Sequence, residues 1–453
     1  MTDAGASPHP AYDASGSAMY ISTGGKYVNQ VPSAYGDSYT TADVIGFALD
    51  ADGQTLECFK NNVSQGEIDL SAADPGNGWT AGISDNTGSA GGSTTRWNFG
   101  QHGFTYTPPS GFLSVCSANL PVPEILEGNK GFDIILYTGD DIDGREIIGL
   151  DFTPDLVWVK SRNQDKSNFI SDQVRGALKA IGTNSVSAEY NPATSSTGGG
   201  IDTSVTGGFS VVKGTVDPGL DNVNKTAYTY VAWNWKEGTK YGFDIVGYEG
   251  TGVARTVAHN LGVAPEMMIV KNRDSAYQWV VYHKQTTATH YLGLNLTDAA
   301  AASTAQWNDT EPISSVFTLG VSLATNESGS NIISYLFTSV EGFSKVFGYT
   351  GNGNADGPFV YCGFRPKFAM FKNATTGGAG YDWWITDGER VQYNVINKLL
   401  FPNLTAADST DAWHDFCSNG IKIKNAYGAN NTSAANIVGI AFAEHPFKYA
   451  NAR

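Results

Sequence analysis

The phrase LDFTPDLVWVK at residues 150–160 returns as NLGVAPEMMIVK at 260–271 and as YCGFRPKFAMFK at 361–372. In each, a proline (Pro154, Pro265, Pro366) is followed six positions later by a lysine (Lys160, Lys271, Lys372). Internal repetition at a period near a hundred residues limits the chain to a tandem architecture before any other property is consulted. A second phrase lies upstream of each: GFDIILYTG from Gly131, GFDIVGYEG from Gly242 and GFSKVFGYTG from Gly342. Downstream, YQWVVYH and YDWWITD match each other, with SNFISDQ a fainter partner. LNLTDA at 294–299 echoes PNLTAA at 402–407, each followed by a tryptophan, Trp307 or Trp413. The copies close on YTYVAWNW, ISYLFTSVEG and IVGIAFAEHP. The expected division is three repeat modules at 131–240, 241–340 and 341–453, after a linker at 121–130 and an N-terminal domain at 1–120.

Each module reads as β structure. Proline cannot donate to a ladder, so it marks the start of a strand. DLVWVK, EMMIVK and KFAMFK are apolar runs of strand length, suited to strands buried on both faces. The closing lysine is expected to snorkel from the strand end, and Tyr-x-Gly to supply a packing aromatic and a turn glycine. Phe169 is placed beside Trp279 and Trp383 as their equivalent. The one helix suggested is short, from Thr297 through TDAAAASTAQ. Charged residues make up 16% of the chain, against about a quarter in typical proteins, and there are 53 glycines. That composition suits strands and turns rather than long surface helices.

Lys and Arg number 28 against 44 Asp and Glu, a net charge of −16. Phosphate-backbone binding and an anionic membrane surface both need clustered cations, so neither nucleic acid nor membrane is an expected partner. No apolar run approaches the ~18 residues of a membrane span, and no signal peptide is expected at the N-terminus. Cys58, Cys116, Cys362 and Cys417 lie far apart without metal-ligand spacing, so free thiols are expected.

No catalytic, ligand-binding or metal-ligating residue stands out. HExxH, GxxxxGK[ST] and GxSxG are absent from the sequence. GNGNADG at 351–357 reads as a turn and not as a dinucleotide loop. Asp140, Asp141 and Asp143 resemble a calcium cluster, but the equivalent loops lack it and a solvated loop is expected. Trp383 reads as core; Trp384, facing the other way, is the better exposed candidate for a sugar-stacking surface. No cofactor is expected.

Two resemblances add to this. DVIGFALD at 43–50, followed by Phe59 to Asn61, resembles the SPRY domain, a lectin-like two-sheet β-sandwich, with Asn62 where glycine is usual. The likeness covers roughly residues 15–120; the first half of a complete SPRY sandwich, with its W-E pair, has no counterpart. The expectation is therefore that the chain is a fragment or that the missing strands come from elsewhere. Second, Tyr349 to Gly353, Gly357 to Tyr361, Gly363 to Pro366, Lys372, Trp383 with Asp387, and Ala441 to Phe447 resemble a recurring module of tailed-bacteriophage tail-fibre and virion structural proteins.

The fold implied is all-β: a partial SPRY-like sandwich, then three sandwich-like repeats. The function implied is a non-enzymatic virion protein, a tail fibre or surface appendage in host attachment. It would be assembled in the bacterial cytoplasm and released by lysis. Its partners would be other virion proteins and a host-surface glycan or protein, with homotrimerisation by analogy. A glycan-binding adhesin and a capsid-bound decoration protein remain alternatives.

Overall fold

The computed structural model describes residues 16–73, 81–82, 95–115, 119, 125, 127–190, 200–212 and 223–444. Cys116 and the segment from His445 onward lie outside them, so the A-F-A-E-x-P-F match is described only to Glu444. The described residues are all-β, with antiparallel sheets and a few single-turn helices. The chain divides into two compact units, Met1–Leu120 and Pro121–Arg453.

The first unit holds two three-stranded antiparallel sheets. Strands Ala18–Tyr20, Gly25–Val28 and Val31–Ala34 form one; Ile45–Asp50, Thr55–Lys60 and Val63–Asp69 form the other. Asp50 accepts from the amides of Asp52 and Gly53, closing the first turn of the second sheet. Asn61 and Asn62 both have positive φ, 50° and 71°, a left-handed region that asparagine tolerates better than most side chains. The Asn61 side chain donates to Asp43 (2.6 Å) and accepts from the Val44 amide (2.9 Å), tying the hairpin to the strand before it. The core here is small: Tyr20, Cys58, Ile68 and Leu70.

In the second unit one neighbour order occurs three times. Strand Phe132–Thr138 pairs with Thr229–Trp235, which pairs with Leu156–Ser161, then Phe169–Asp172. The second set is Phe243–Glu249, Asn331–Phe337, Met267–Asn272, Val280–His283. The third is Ser344–Thr350, Asn436–Ala443, Pro366–Asn373, Trp384–Asp387.

The central strands are buried on both faces, and the two faces go to different places. Leu156 and Trp158, Met267 and Ile269, and Phe368 and Met370 all enter one common core. The alternating residues enter three private cores: Val157 and Val159 in the first, Met268 and Val270 in the second, Ala369 and Phe371 in the third. Each private core is closed by outer strands, such as Gly208–Val212, Val316–Leu319 or Gly420–Ile423. The common core is filled: at its centre is a void of only about 20 Å³ between apolar side chains. The three segments thus stand as one compact body, because each inner sheet is covered by the other two. Within the expected 121–130 linker, Ile125 is buried in the common core and Gly128–Lys130 form one 3-10 turn.

Four local readings need correction. The lysines do not snorkel: Lys160, Lys271 and Lys372 are each 0% exposed. The glycine of Tyr-x-Gly serves close approach, since a Cβ on Gly139, Gly250 or Gly351 would stand 2.1–2.2 Å from a backbone oxygen. The third Gly-Phe phrase is offset by one: Phe132 faces Trp235 and Phe243 faces Phe337, but Ser344, not Phe343, faces Phe442. The helix lies at Thr304–Trp307 and not from Thr297, because Ala300 and Ala301 are held in backbone pairing with Ala374 and Tyr291.

Candidate functional site

The polar groups of the second unit gather where the three segments meet. The Lys160 ammonium donates to Lys166 O of its own segment and, at 2.6 Å, to Thr405 O of the third. Lys271 donates to Asn272 O (2.7 Å), Ser275 O (3.3 Å) and Val186 O (3.2 Å) of the first segment. Lys372 donates to Tyr381 O (2.6 Å) and to Thr297 O (2.9 Å) of the second. The direction is cyclic: first to third, second to first, third to second. Burial lowers each of the three ammonium groups to about 8. They are enclosed by carbonyls, so they act as charged staples.

The tryptophans follow the same cycle. Trp279 Nε1 donates to Gly182 O at 2.9 Å, and Trp383 Nε1 to Gly293 O at 2.8 Å. The first-segment counterpart is Asn168, not Phe169: its Nδ2 donates to Phe401 O (3.1 Å) and Leu404 O (3.0 Å). Their backbone bonds are alike: the amides of Asn168, Trp279 and Trp383 donate to the side-chain oxygens of Asn184, Asn295 and Asn403 respectively.

Two of the three seams are charged. Between the first and second segments, Arg175 bonds Asp172 (2.5 Å) and Glu189 (3.2 Å) while Arg273 grips Glu189 at 2.8 and 2.9 Å. The Tyr335 hydroxyl donates to Asp172 at 2.7 Å. Between the third and first, Arg390 bonds Asp387 (2.6 Å) and Asp408 (2.7 Å), and Arg162 approaches Asp408 at 3.5 Å. There Trp233 Nε1 donates to Asp387 at 3.1 Å. The seam between the second and third has His283 in the aspartate place, bonded through Nε2 to Gly439 O at 3.2 Å. Ala300 and Ala374 stand where the others have an acid and an arginine. One backbone bond is common to all three seams: Glu189 N to Arg273 O, Asp408 N to Arg162 O and Ala300 N to Ala374 O.

A second threefold set holds the loops after Tyr-x-Gly. Tyr137, Tyr248 and Tyr349 donate to the carbonyls of Val223, Thr325 and Asn430 at 2.7–2.8 Å. The following asparagines, Asn224, Asn326 and Asn431, accept from the amides of Asp140, Thr251 and Asn352, and donate to Ile142 O, Val253 O and Asn354 O. These asparagines were not singled out from sequence. Their signal was constant spacing, five residues before strands that begin at 229, 331 and 436.

The residues considered for chemistry fall in these structural roles. Asp140 is occupied by Arg145 at 3.2 Å and by Asn224 Nδ2 at 3.0 Å, and Asp141 pairs with Lys225 at 3.7 Å. Among the described residues no three acidic, His or Cys side chains gather as a metal set. GNGNADG is a chain of asparagine-capped turns leading to strand Phe359–Tyr361. Trp384 is not exposed: it is 0% accessible, stacked on Phe371 at 3.8 Å and edge-on to Trp413 at 5.0 Å. Cys58 and Cys362 are buried free thiols and Cys417 is half-buried.

One titratable pair escaped sequence reading. Burial, then the neighbouring Asp244, pushes Glu237 up to about 7. Asp155 accepts from the Glu237 amide at 2.7 Å, and Glu237 accepts from the Ile245 amide at 3.2 Å.

No curated protein matches the chain. A family model does, over residues 127–446, taking in the three segments and their common core as one stretch of more than half the chain. The chain therefore belongs to the family described as a domain of unknown function, DUF7483.

Proposed function

We propose that this chain is a non-enzymatic structural protein of a tailed-phage virion, a fibre or surface appendage that presents a rigid body to the host. Residues 131–453 are read as three copies of one module, and the N-terminal unit as a SPRY-like portion. The observation that carries the proposal is the cycle of contacts through one common core. Committing three buried lysines, two ion networks and the indoles of Trp233, Trp279 and Trp383 to holding segments together favours rigidity. The acidic surface charge suits a solvated projection. Homotrimerisation by analogy is part of this reading: light scattering is expected to give a species near three times 48.2 kDa, and a clean monomer would count against a self-trimerising fibre.

The test of location is peptide mass spectrometry on gradient-purified particles from an induced lysate. Peptides of this chain at a fixed ratio to the major capsid protein are expected. Their confinement to the particle-free fraction would overturn the proposal. Gold-labelled antibody then separates a tail-tip position from capsid decoration. A glycan-binding adhesin is the second reading, favoured by an aromatic hollow in the third segment.

A further inference from the structure

Strands Trp384–Asp387 and Ser409–Cys417, with the turn before the single-turn helix Gly428–Asn431, enclose a surface hollow of about 450 Å³. That size lies within the range of small-molecule sites, about 300–1,000 Å³. We infer that this hollow is a binding site for a neutral pyranose sugar.

Its wall is aromatic on one side. Trp384, Trp413 and Tyr427 form a run of rings, with Trp413 5.0 Å from Trp384 and 5.1 Å from Tyr427. Tyr427 is 48% exposed, whereas Trp413 is only 8% exposed. A half-exposed ring braced by buried ones offers a fixed apolar face, and a pyranose carries a matching apolar face of C–H groups.

The polar groups on the wall decide the ligand class. Asp382 and Asp411 bring carboxylates, which only accept hydrogen bonds. Asp382 is held in place by Asn403 Nδ2 at 2.6 Å. The wall also carries Asn425, whose side-chain amide can donate, and the Tyr427 hydroxyl, which can donate and accept. A mixed wall of acceptors and donors suits hydroxyl groups, which do both. A uronic acid, sialic acid or nucleotide would bring negative charge against two carboxylates in a chain of net charge −16.

The other segments do not repeat the feature. Trp307, the sequence counterpart of Trp413, is buried on the helix Thr304–Trp307 and packs edge-on to Tyr282 at 6.0 Å. The site would thus be carried by one segment of the three. It supplies a ligand for the attachment reading and rests on it, although sugar binding by the purified chain and presence in particles can each fail alone.

The test is ligand-observed NMR on the full chain with the methyl glycosides of glucose, galactose, mannose and N-acetylglucosamine, and methyl glucuronide as the charged comparison. At least one neutral glycoside is expected to bind and the glucuronide not to. Tyr427→Ala and Asp411→Asn, both at exposed positions, should each weaken binding at least tenfold with the melting temperature unchanged. Absence of binding by all four neutral sugars, affinity unaltered in both variants, or equal binding of the glucuronide would overturn the site.

Discussion

The seam between the first and second segments and the seam between the second and third join equivalent surfaces by different means. The former buries Asp172, Arg175, Glu189 and Arg273 as a network. The latter keeps the shared backbone bond and the lysine staple, and replaces the charges by His283, Ala300 and Ala374. What this teaches is that the cycle does not depend on ion pairs. The elements present at every seam are the lysine bonded to a neighbour's carbonyls, the amide-bearing or indole side chain beside it, and one strand-like backbone bond. The charged networks are additions whose removal is costly mainly because half a network is worse than none.

That contrast can be broken most directly at the position three residues after the strand end, which is Arg175, Thr286 or Arg390. Arg175→Met and Arg390→Met should each cost about 3–5 kcal/mol by leaving buried carboxylates unpaired. Thr286→Ala, at the neutral seam, should cost under about 1 kcal/mol. Guanidinium unfolding of the three variants compares them; equal costs would mean that the charges are incidental.

The lysine staples should behave alike at all three seams. Lys160→Met, Lys271→Met and Lys372→Met keep the stem but orphan buried carbonyls, at about 1–3 kcal/mol each. They also carry a pH signature. The folded pKa, about 8, lies below the unfolded 10.5, so the unfolded chain binds more protons between those values. Stability contributed by each lysine must therefore rise as pH rises through that window. The stability gap between the natural chain and Lys271→Met should widen from pH 7.5 to 9.5; a constant gap would contradict the burial.

Converting a charged seam into a neutral one sharpens the comparison further. Arg273→Ala with Glu189→Ala reproduces the alanine pair of the other seam. The double variant should be more stable than the sum of the two single changes predicts, with a coupling of about 0.5–3 kcal/mol in a double-mutant cycle. Additivity would show that Glu189 is held by Arg175 alone.

The smallest effect distinguishes the seams by acid. Burial holds His283 down to about 4, below its unfolded value, so the stability it permits is complete above about 6.5 and is lost as pH falls toward 4. Hydrogen exchange at pH 5 should accelerate first at the amides of Ala300 and Ala374's neighbours, and His283→Gln should remove that acid sensitivity. Faster exchange first at Glu189 would reverse the assignment. His414, pushed to about 3 within the third segment's private core, adds acid lability that the substitution leaves in place.

The β character and the central strands were legible in the sequence because apolar runs with a proline before them and a lysine after them have few other uses. The common core was not legible. A run such as DLVWVK states that both faces are buried but not that one face belongs to other segments. For the same reason the lysine destinations were hidden: a charged residue ending an apolar run usually reaches water, and only the neighbour's carbonyls, 245 residues away in the case of Thr405, make its burial tolerable. Trp384 shows a related limit. Alternation on a strand turned it away from Trp383 correctly, but the opposite face led to a second core and not to solvent. Asn168 was missed because a polar residue replaced an aromatic one at a position defined by a hydrogen bond and not by packing.

The cycle closes between the first segment and the last: Phe132, opening the first inner strand, stacks on Phe442 of the final strand at 4.8 Å, and Lys367 bonds Asp133. The order in which the segments are written is therefore not required by the contacts they make. A circularly permuted chain, opened between Trp235 and Phe243 and rejoined from Glu444 to Gly131 by a short linker, would keep every seam while changing which one is bridged by the polypeptide. Such a permutant would separate what covalent connection contributes from what the three surfaces achieve by recognising one another.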